Sequence, residues 1–388
     1  MDPIERLLTR GVAEIIPEKQ GLKNILKKRK VTIYQGFDPT AESLHIGHFI
    51  GIRKLSEFQK LGHKVIFLIG DFTGMIGDPT DKSAARIKLT KSQVKKNMKG
   101  YLNQIKNIIN FEGDNPVKIL YNSEWLAKLT FEEVIELSSN VTVQQMIERD
   151  FFQERLKKGK PIYLHEFLYP LMQGYDSVYM DVDIELGGTD QLFNMLVGRS
   201  LMKSLKNKEK YVMCMKLLTD SSGRKMGKTE GNAINLTDSA SSIFAKVMGF
   251  PDEFVTPSIE LLTDLPLDYA KGKNPLEVKK KIAYEVVRQI HQEEGARAGL
   301  TYFENTVQKG NVPKNAETVK FSRNKINIID LLTQSGQVES RSSAKNLIKE
   351  GAIDVDGKKI ADTGFELNLE KQRTIKIGKK KYIVAVKT

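Results

Sequence analysis

A single cysteine, Cys214, stands in 388 residues. That excludes a disulfide scaffold and any cysteine-rich zinc module. Histidine is scarce as well, with five copies, and tryptophan occurs once. No apolar run approaches the roughly 20 residues needed to cross a bilayer, so no membrane span is expected. The opening Met1-Asp2-Pro3-Ile4-Glu5-Arg6 carries acids and no apolar core, unlike a secretory signal. It is not rich in Arg and Ser either, so a transit peptide is not expected. Internal repeats and low-complexity tracts are missing too. These absences leave a globular protein of a reducing, cytoplasmic compartment.

The length suits two or three domains, and 40% hydrophobic residues with 29 glycines match a folded chain. Basic residues outnumber acidic ones by 61 to 48, a formal net charge of +13. Such a surplus reads either as a lysine-rich background or as the footprint of a polyanionic partner.

Along the first two-thirds, strand-like and helix-like signals alternate. Val31-Thr32-Ile33-Tyr34 is a short β-rich run, followed by an amphipathic stretch over 44–61. Lys64 to Gly70 is continuously apolar after its first residue and ends at glycine, the pattern of a buried parallel strand. A basic helix near 91–109, a strand near 117–121 and later strands at 182–186 and 211–218 continue the alternation. The β-α-β order predicts an open α/β sheet with helices on both faces. Past residue 235 the signals turn helical, with Pro251, Pro257, Pro266 and Pro275 as punctuation. Residues 310–315 read as a linker. A third unit begins near Lys325, with helical stretches at 327–332 and 342–350 and an alternating Gly-rich stretch from Gly351 to Lys359.

Two motifs carry chemistry. In Thr40-Ala41-Glu42-Ser43-Leu44-His45-Ile46-Gly47-His48, two of the five histidines sit three apart. If Ser43 caps a helix there, both rings share a face, and Gly47 lets a planar ligand approach the backbone. Zinc needs three or four ligands, and His63, His165 and His291 show no metal spacing. The second motif is Gly223-Arg224-Lys225-Met226-Gly227-Lys228-Thr229. Point charges on a small-residue loop suit a polyphosphate whose charge shifts during reaction. The Walker-A glycine spacing is lacking, so this is not a P-loop.

Together, His-Ile-Gly-His and the Lys-Met-Gly-Lys-Thr loop resemble the class I aminoacyl-tRNA synthetases. Four further stretches narrow the resemblance to the bacterial-type tyrosyl-tRNA synthetases: Tyr34 to Thr40, Gly74 to Pro79, Tyr169 to Asp176, and Gly187-Gly188-Thr189-Asp190-Gln191. The resemblance spans essentially the whole chain. Gly227 and Thr229 depart from it, since many relatives carry serine at both positions. It implies an α/β fold with a Rossmann-like parallel-sheet catalytic domain over 1–235. An α-helical anticodon-side domain over 236–318 and a small α+β S4-like RNA-binding domain over 319–388 would follow.

The family's reaction joins the carboxylate of tyrosine to the α-phosphate of ATP, expels pyrophosphate, and then moves tyrosyl to the end of tRNA(Tyr). The substrate supplies the nucleophile, so the protein positions groups and stabilises charge. By resemblance, Thr40 and His45 contact the γ-phosphate, and His48 and Gly47 the nucleotide. Lys225, Lys228 and Thr229 close over the pyrophosphate, aided by Lys82 and Arg86. Gly188 and Asp190 bind ribose, and Gln191 lies near the reacting carboxylate. Mg²⁺ arrives with ATP, held largely by phosphate and water. Asp78, Tyr169 and Gln173 accept from the ammonium of tyrosine, with Gly36 and Asp38 in the same pocket. Tyr34 and Asp176 read the phenol hydroxyl. Tyr169, Gln173 and Asp176 follow i, i+4, i+7 and so share one helix face. A site that bonds a substrate hydroxyl rejects the analogue lacking it, a rule for which tyrosyl enzymes are themselves the usual illustration.

From Lys325 to Thr388, thirteen basic residues face eight acidic ones. Arg341, Lys345 and Lys349 at i, i+4, i+8, with Lys379-Lys380-Lys381 beyond, suit phosphate contacts on tRNA. The resemblance also implies a homodimer. Three other readings are a tryptophanyl-tRNA synthetase, a non-catalytic RNA-binding protein on the same body, and a Rossmann dehydrogenase. Tyr34, Asp176 and the S4-like tail oppose the first, and the intact histidines and lysines the second. The missing Gly-x-Gly-x-x-Gly opposes the third.

Overall fold

Strands that are buried on both faces need apolar residues at every position, and the apolar runs of this chain become the middle of a six-stranded sheet. The computed structural model describes residues 2–79, 89–219, 233–309, 316–378 and 381–388. Contacts divide it into two compact units, Met1–Ala296 and Arg297–Thr388.

In the first unit the strands are β1 (Val12–Ile16), β2 (Thr32–Phe37), β3 (Lys64–Ile69), β4 (Lys118–Tyr121), β5 (Ile184–Gly188) and β6 (Tyr211–Met215). Their order across the sheet is β1-β6-β5-β2-β3-β4. The five strands β2 to β6 run parallel, and β1 pairs antiparallel to β6 at the edge. Every residue of β6, and all of β3 after Lys64, is buried. The chain moves outward from β2 through β3 to β4, then returns to β5 on the other side of β2. The β2–β5 seam, where Tyr34 stands opposite Glu185, is therefore the switch point of the sheet. Open α/β sheets bind ligands beyond the carboxyl ends of the strands at such a point.

The helix Ile46–Lys60 follows β2 and packs on β2, β3 and β5. Its cap is His45, not Ser43. The reason is non-local. Ile46 N–H donates to the Ile234 carbonyl at 2.9 Å and Leu236 N–H to the Leu44 carbonyl at 2.8 Å. This bridge holds residues 44–46 extended, so the helix starts only after it. The basic helix expected near 91–109 is two short helices, Lys91–Met98 and Tyr101–Ile105, separated at Lys99-Gly100. The helices Leu164–Met180 and Leu192–Lys206 pack together near β5 and β6, with Gly174 and Gly198 at their contact. Helices Ala240–Met248, Val255–Leu262 and Pro275–Tyr302, the last broken by a kink at Gln292, follow, as the proline-punctuated stretch predicts.

The second unit is α+β. Its strands are β7 (Glu317–Phe321), β8 (Lys325–Asn327), β9 (Ile353–Val355), β10 (Lys358–Ile360), β11 (Glu366–Asn368), β12 (Arg373–Ile377) and β13 (Lys381–Lys387). They form a five-stranded sheet, β10-β9-β12-β13-β7, and a two-stranded one, β11-β8. The β9–β10 hairpin turns at Asp356-Gly357, a dipeptide suited to a tight two-residue turn. Helices Ile328–Gln334 and Arg341–Lys349 contribute Ile328, Leu331, Leu332, Ala344 and Ile348 to the core of this unit. No helix among the described residues is long and apolar enough to cross a membrane.

Candidate active site

A cleft of about 460 Å³ opens beyond the carboxyl ends of β2, β3, β5 and β6. Its lining includes Tyr34, Gly36, Asp38, Thr40, His45, Gly47, His48, Asp78, Tyr169, Gln173, Asp176, Gly188, Asp190 and Gln191. Residues spread over some 160 positions of sequence thus meet in one place. Lys82, Arg86, Lys225, Lys228 and Thr229 lie outside the described residues.

The floor is closed and polar. Tyr34 is 1% exposed and Asp176 2%. The Tyr34 hydroxyl pairs with Ser177 Oγ at 2.7 Å. Asp176 accepts from Trp125 Nε1 at 2.8 Å and from Asn122 Nδ2 at 3.2 Å. Burial pushes the Asp176 carboxyl well above the usual range, against the pull of these two donors. Burial likewise raises Tyr34, with the charges of Glu185 and Asp176 adding to it, so its hydroxyl keeps its proton at neutral pH. Tyr169, Gln173 and Asp176 come from one helix, Leu164–Met180, as their spacing predicts.

Above the floor the cleft is rich in acceptors. Tyr169 donates to Asp38 Oδ2 at 2.9 Å, and Thr73 Oγ1 to Asp38 Oδ1 at 2.7 Å. Gln191 Nε2 donates to Asp78 Oδ2 at 2.6 Å, and its Oε1 accepts from Asn194 Nδ2 at 3.0 Å. Two carboxylates, Asp38 and Asp78, so close to the floor favour a cation there.

Thr40 and Gly47 are exposed, and His45 and His48 half-buried. Gly47 N–H donates to His45 Nδ1, and His45 N–H to His48 Nδ1, each at 3.1 Å. A backbone N–H can only donate, so both Nδ1 atoms accept and the neutral rings carry their protons on Nε2. The rings stack with centroids 3.9 Å apart. A Cβ at position 47 would lie 2.9 Å from His45 Cε1, so the stack requires glycine there. Two N–H donors beside a helix N-terminus form a natural anion site. The bridge from residues 44–46 to 234–236 ties this segment to the stretch directly after the lysine loop.

A buried phenol beside a buried carboxylate, two further carboxylates and a stacked histidine pair thus line one cleft. The family model described as tRNA synthetases class I (W and Y) matches residues 26–308. The chain belongs to this family. A second model, Tyrosine--tRNA ligase SYY-like C-terminal domain, matches residues 308–385. The synthetase is 39% identical over 382 residues to the Tyrosine--tRNA ligase of Aquifex aeolicus, covering 97% of each chain. It is 40% identical over 387 residues to that of Thermotoga maritima, covering 97% of this chain and 96% of the other. Its fold matches a C-terminally truncated mitochondrial tyrosyl-tRNA synthetase from Coccidioides posadasii with a TM-score of 0.64. That match has 26% identity and covers 77% of this chain and 91% of the other.

Sequence reasoning missed Thr73, Asn122 and Glu185, which line the cleft, and Trp125, Ser177 and Lys210, which bond to its lining residues from behind. Glu185 left one signal, a charge inside the buried strand β5, which must find a partner. In the C-terminal unit of the synthetase, Arg341, Lys345 and Lys349 are exposed on one face of their helix while Ala344 and Ile348 are buried. Arg341 is ion-paired with Asp330.

Proposed function

We propose that the chain is a tyrosine–tRNA ligase that activates L-tyrosine with ATP and transfers tyrosyl to the 3′-terminal adenosine of tRNA(Tyr). The observation that carries this reading is the buried pair Tyr34 and Asp176 at the floor of the cleft. A phenol hydroxyl needs one donor and one acceptor, and a closed floor offering both selects it over a bare ring.

With the phenol on the floor, the ammonium reaches the acceptors Asp78, Tyr169 and Gln173. The carboxylate then lies towards Gln191. One of its oxygens bonds to the α-phosphorus of ATP while the bond to the pyrophosphate oxygen breaks. Thr40, His45 and His48 hold the leaving phosphates, with Nε2–H groups as donors, and Gly47, Gly188 and Asp190 hold the nucleoside. Lys82, Arg86, Lys225, Lys228 and Thr229 would add charge as pyrophosphate forms. In the second step the terminal ribose hydroxyl of tRNA displaces AMP from the tyrosyl carbonyl. Among the described residues no group of three or more His, Cys, Asp or Glu gathers as a metal site. Mg²⁺ would come with ATP, held largely by its phosphates and water.

The helical segment 236–318 would serve the anticodon side, and 319–388, with Arg341, Lys345 and Lys349, would hold tRNA phosphates. Phe131 and Leu164, 81% and 78% exposed on neighbouring helices, support assembly as a homodimer. The enzyme would work in the cytoplasm, where tRNA is charged. The test is ATP–pyrophosphate exchange with each of the twenty amino acids. Exchange with tyrosine alone is expected; exchange with tryptophan instead, or with none, contradicts the reading.

A further inference from the structure

At the floor of the cleft, reaching back from its lining residue Glu185, lies a deeply buried ion pair. Lys210 is 0% exposed and Glu185 2%, and the two are bonded directly. Glu185 stands on β5 opposite Tyr34, and Lys210 immediately precedes β6. Room for the ammonium exists because residue 198 is glycine: a Cβ there would lie 2.5 Å from Lys210 Nζ. A pair this deep loses more in desolvation than its attraction returns unless its remaining hydrogen-bonding positions are filled. A well-packed apolar pair would stabilise the fold as well. The positions that are filled here lead to the cleft.

We propose that Lys210 and Glu185 act as positioning residues that set the direction of the hydrogen bonds reading both ends of bound tyrosine. The inference rests on the tyrosine reading given above. Lys210 Nζ has protons and no lone pair, so it donates to Ser177 Oγ at 2.9 Å whatever else changes. Ser177 has one proton and two neighbours that can take it. Glu185 Oε2 is 3.2 Å away and already holds Lys210; Tyr34 Oη is nearer, at 2.7 Å. When tyrosine binds, Ser177 donates to Tyr34, and the proton of Tyr34 turns to the phenol oxygen of the substrate. The phenol proton goes to Asp176. With Lys210 donating to Ser177, the chain runs from Lys210 through Ser177 and Tyr34 to the substrate when Ser177 gives its proton to Tyr34 and not to Glu185 Oε2. At the other end, Glu185 Oε1 accepts from Gln173 Nε2 at 3.0 Å. A carboxylate cannot donate, so the amide cannot flip, and Gln173 Oε1 is the end left for the ammonium.

The two arms can be cut separately. Ser177→Ala breaks the phenol arm and leaves the ion pair and Gln173 in place. In ATP–pyrophosphate exchange with the full chain, the ratio of kcat/KM for tyrosine over phenylalanine should fall by about tenfold or more. The change should appear mainly as a higher KM for tyrosine, and Ser177→Thr, which keeps the hydroxyl, should restore most of the ratio. The double variant Glu185→Leu/Lys210→Met removes both charges together. It should lower the same ratio and also weaken, by about fivefold, the preference for tyrosine over 3-(4-hydroxyphenyl)propanoate, which lacks the ammonium. Ser177→Ala should leave that second preference alone. A purely structural role would lower the melting temperature and move neither ratio. A tyrosine-to-phenylalanine ratio within about twofold of the unsubstituted chain in Ser177→Ala overturns the inference whether or not the double variant folds. Absence of tyrosine-dependent exchange in the unsubstituted chain overturns the functional reading first.

Discussion

The proposed reading of tyrosine rests on hydroxyl groups and ring nitrogens in the cleft, and single atoms can be removed to test them. Tyr34→Phe deletes one oxygen from a side chain that is otherwise core. The floor then lacks its donor, so selectivity for tyrosine over phenylalanine should drop by roughly 10- to 100-fold in pyrophosphate exchange. An unchanged ratio would remove Tyr34 from the floor's role. His63 makes a different kind of statement. It is buried between β2 and β3, accepts Val31 N–H at 3.4 Å, and packs against Phe58. Burial, with the charge of Lys30 adding to it, pushes its pKa down to about 4. An unfolded chain binds the proton near pH 6.5, so acid favours unfolding between those two values. Stability from this group is complete above pH 6.5 and lost as pH falls towards 4, about 2–4 kcal/mol in all. His63→Asn should flatten the melting temperature across that window relative to the parent; an equal slope in both proteins would refute the assignment. At this scale the sequence showed Tyr34 and Asp176 only through the company they keep in recurring motifs. Ser177 and Lys210 carried no local pattern, because what defines them is a contact across the sheet.

At the helix Ile46–Lys60 the side chains proposed to hold phosphate are the ones that cap the helix. His45 and His48 satisfy the first backbone donors through Nδ1, as a capping serine and glutamine would, which puts the proton of each neutral ring on Nε2. The two jobs separate under substitution. His45→Asn keeps a good capping side chain but places no N–H where Nε2 was. Thermal stability should stay within about 1 kcal/mol of the parent. The single-turnover rate of adenylate formation should fall by about tenfold or more, with little change in tyrosine affinity. A variant that unfolds early yet activates tyrosine at the normal rate would make the histidines structural only. Strands were legible here from apolar runs, β3 above all, while the helix Leu164–Met180 showed only in the spacing of Tyr169, Gln173 and Asp176. Boundaries were less so. Ser43 has the chemistry of a cap, but the bridge to residues 234–236 delays the helix. The edge strand β1 escaped notice because its pairing with β6 spans about two hundred residues and its own pattern is weak.

At the scale of the whole molecule, the +13 charge first read as an undirected hint of a polyanion. The described lining of the cleft belongs entirely to the first unit, whereas Arg341, Lys345 and Lys349 project from the second. Small-molecule chemistry and tRNA phosphate binding should therefore respond independently to substitution. The three cations are not equal. Arg341 is engaged by Asp330, which spends part of its charge inside the protein, while Lys345 and Lys349 have solvent-exposed side chains on the same helix face. Every tRNA phosphate left without its cation should reduce the slope of log affinity for tRNA(Tyr) against log salt by about 0.7–0.9. Lys345→Ala/Lys349→Ala should thus lower the slope by about 1.5, and Arg341→Ala by less than a single lysine. Filter binding across a series of salt concentrations measures both, and tyrosine-dependent pyrophosphate exchange, which tRNA does not enter, serves as the control. An undiminished slope in the double lysine variant would move the RNA-binding role off this helix. A drop in exchange in step with binding would show that the second unit reaches the chemistry of the first.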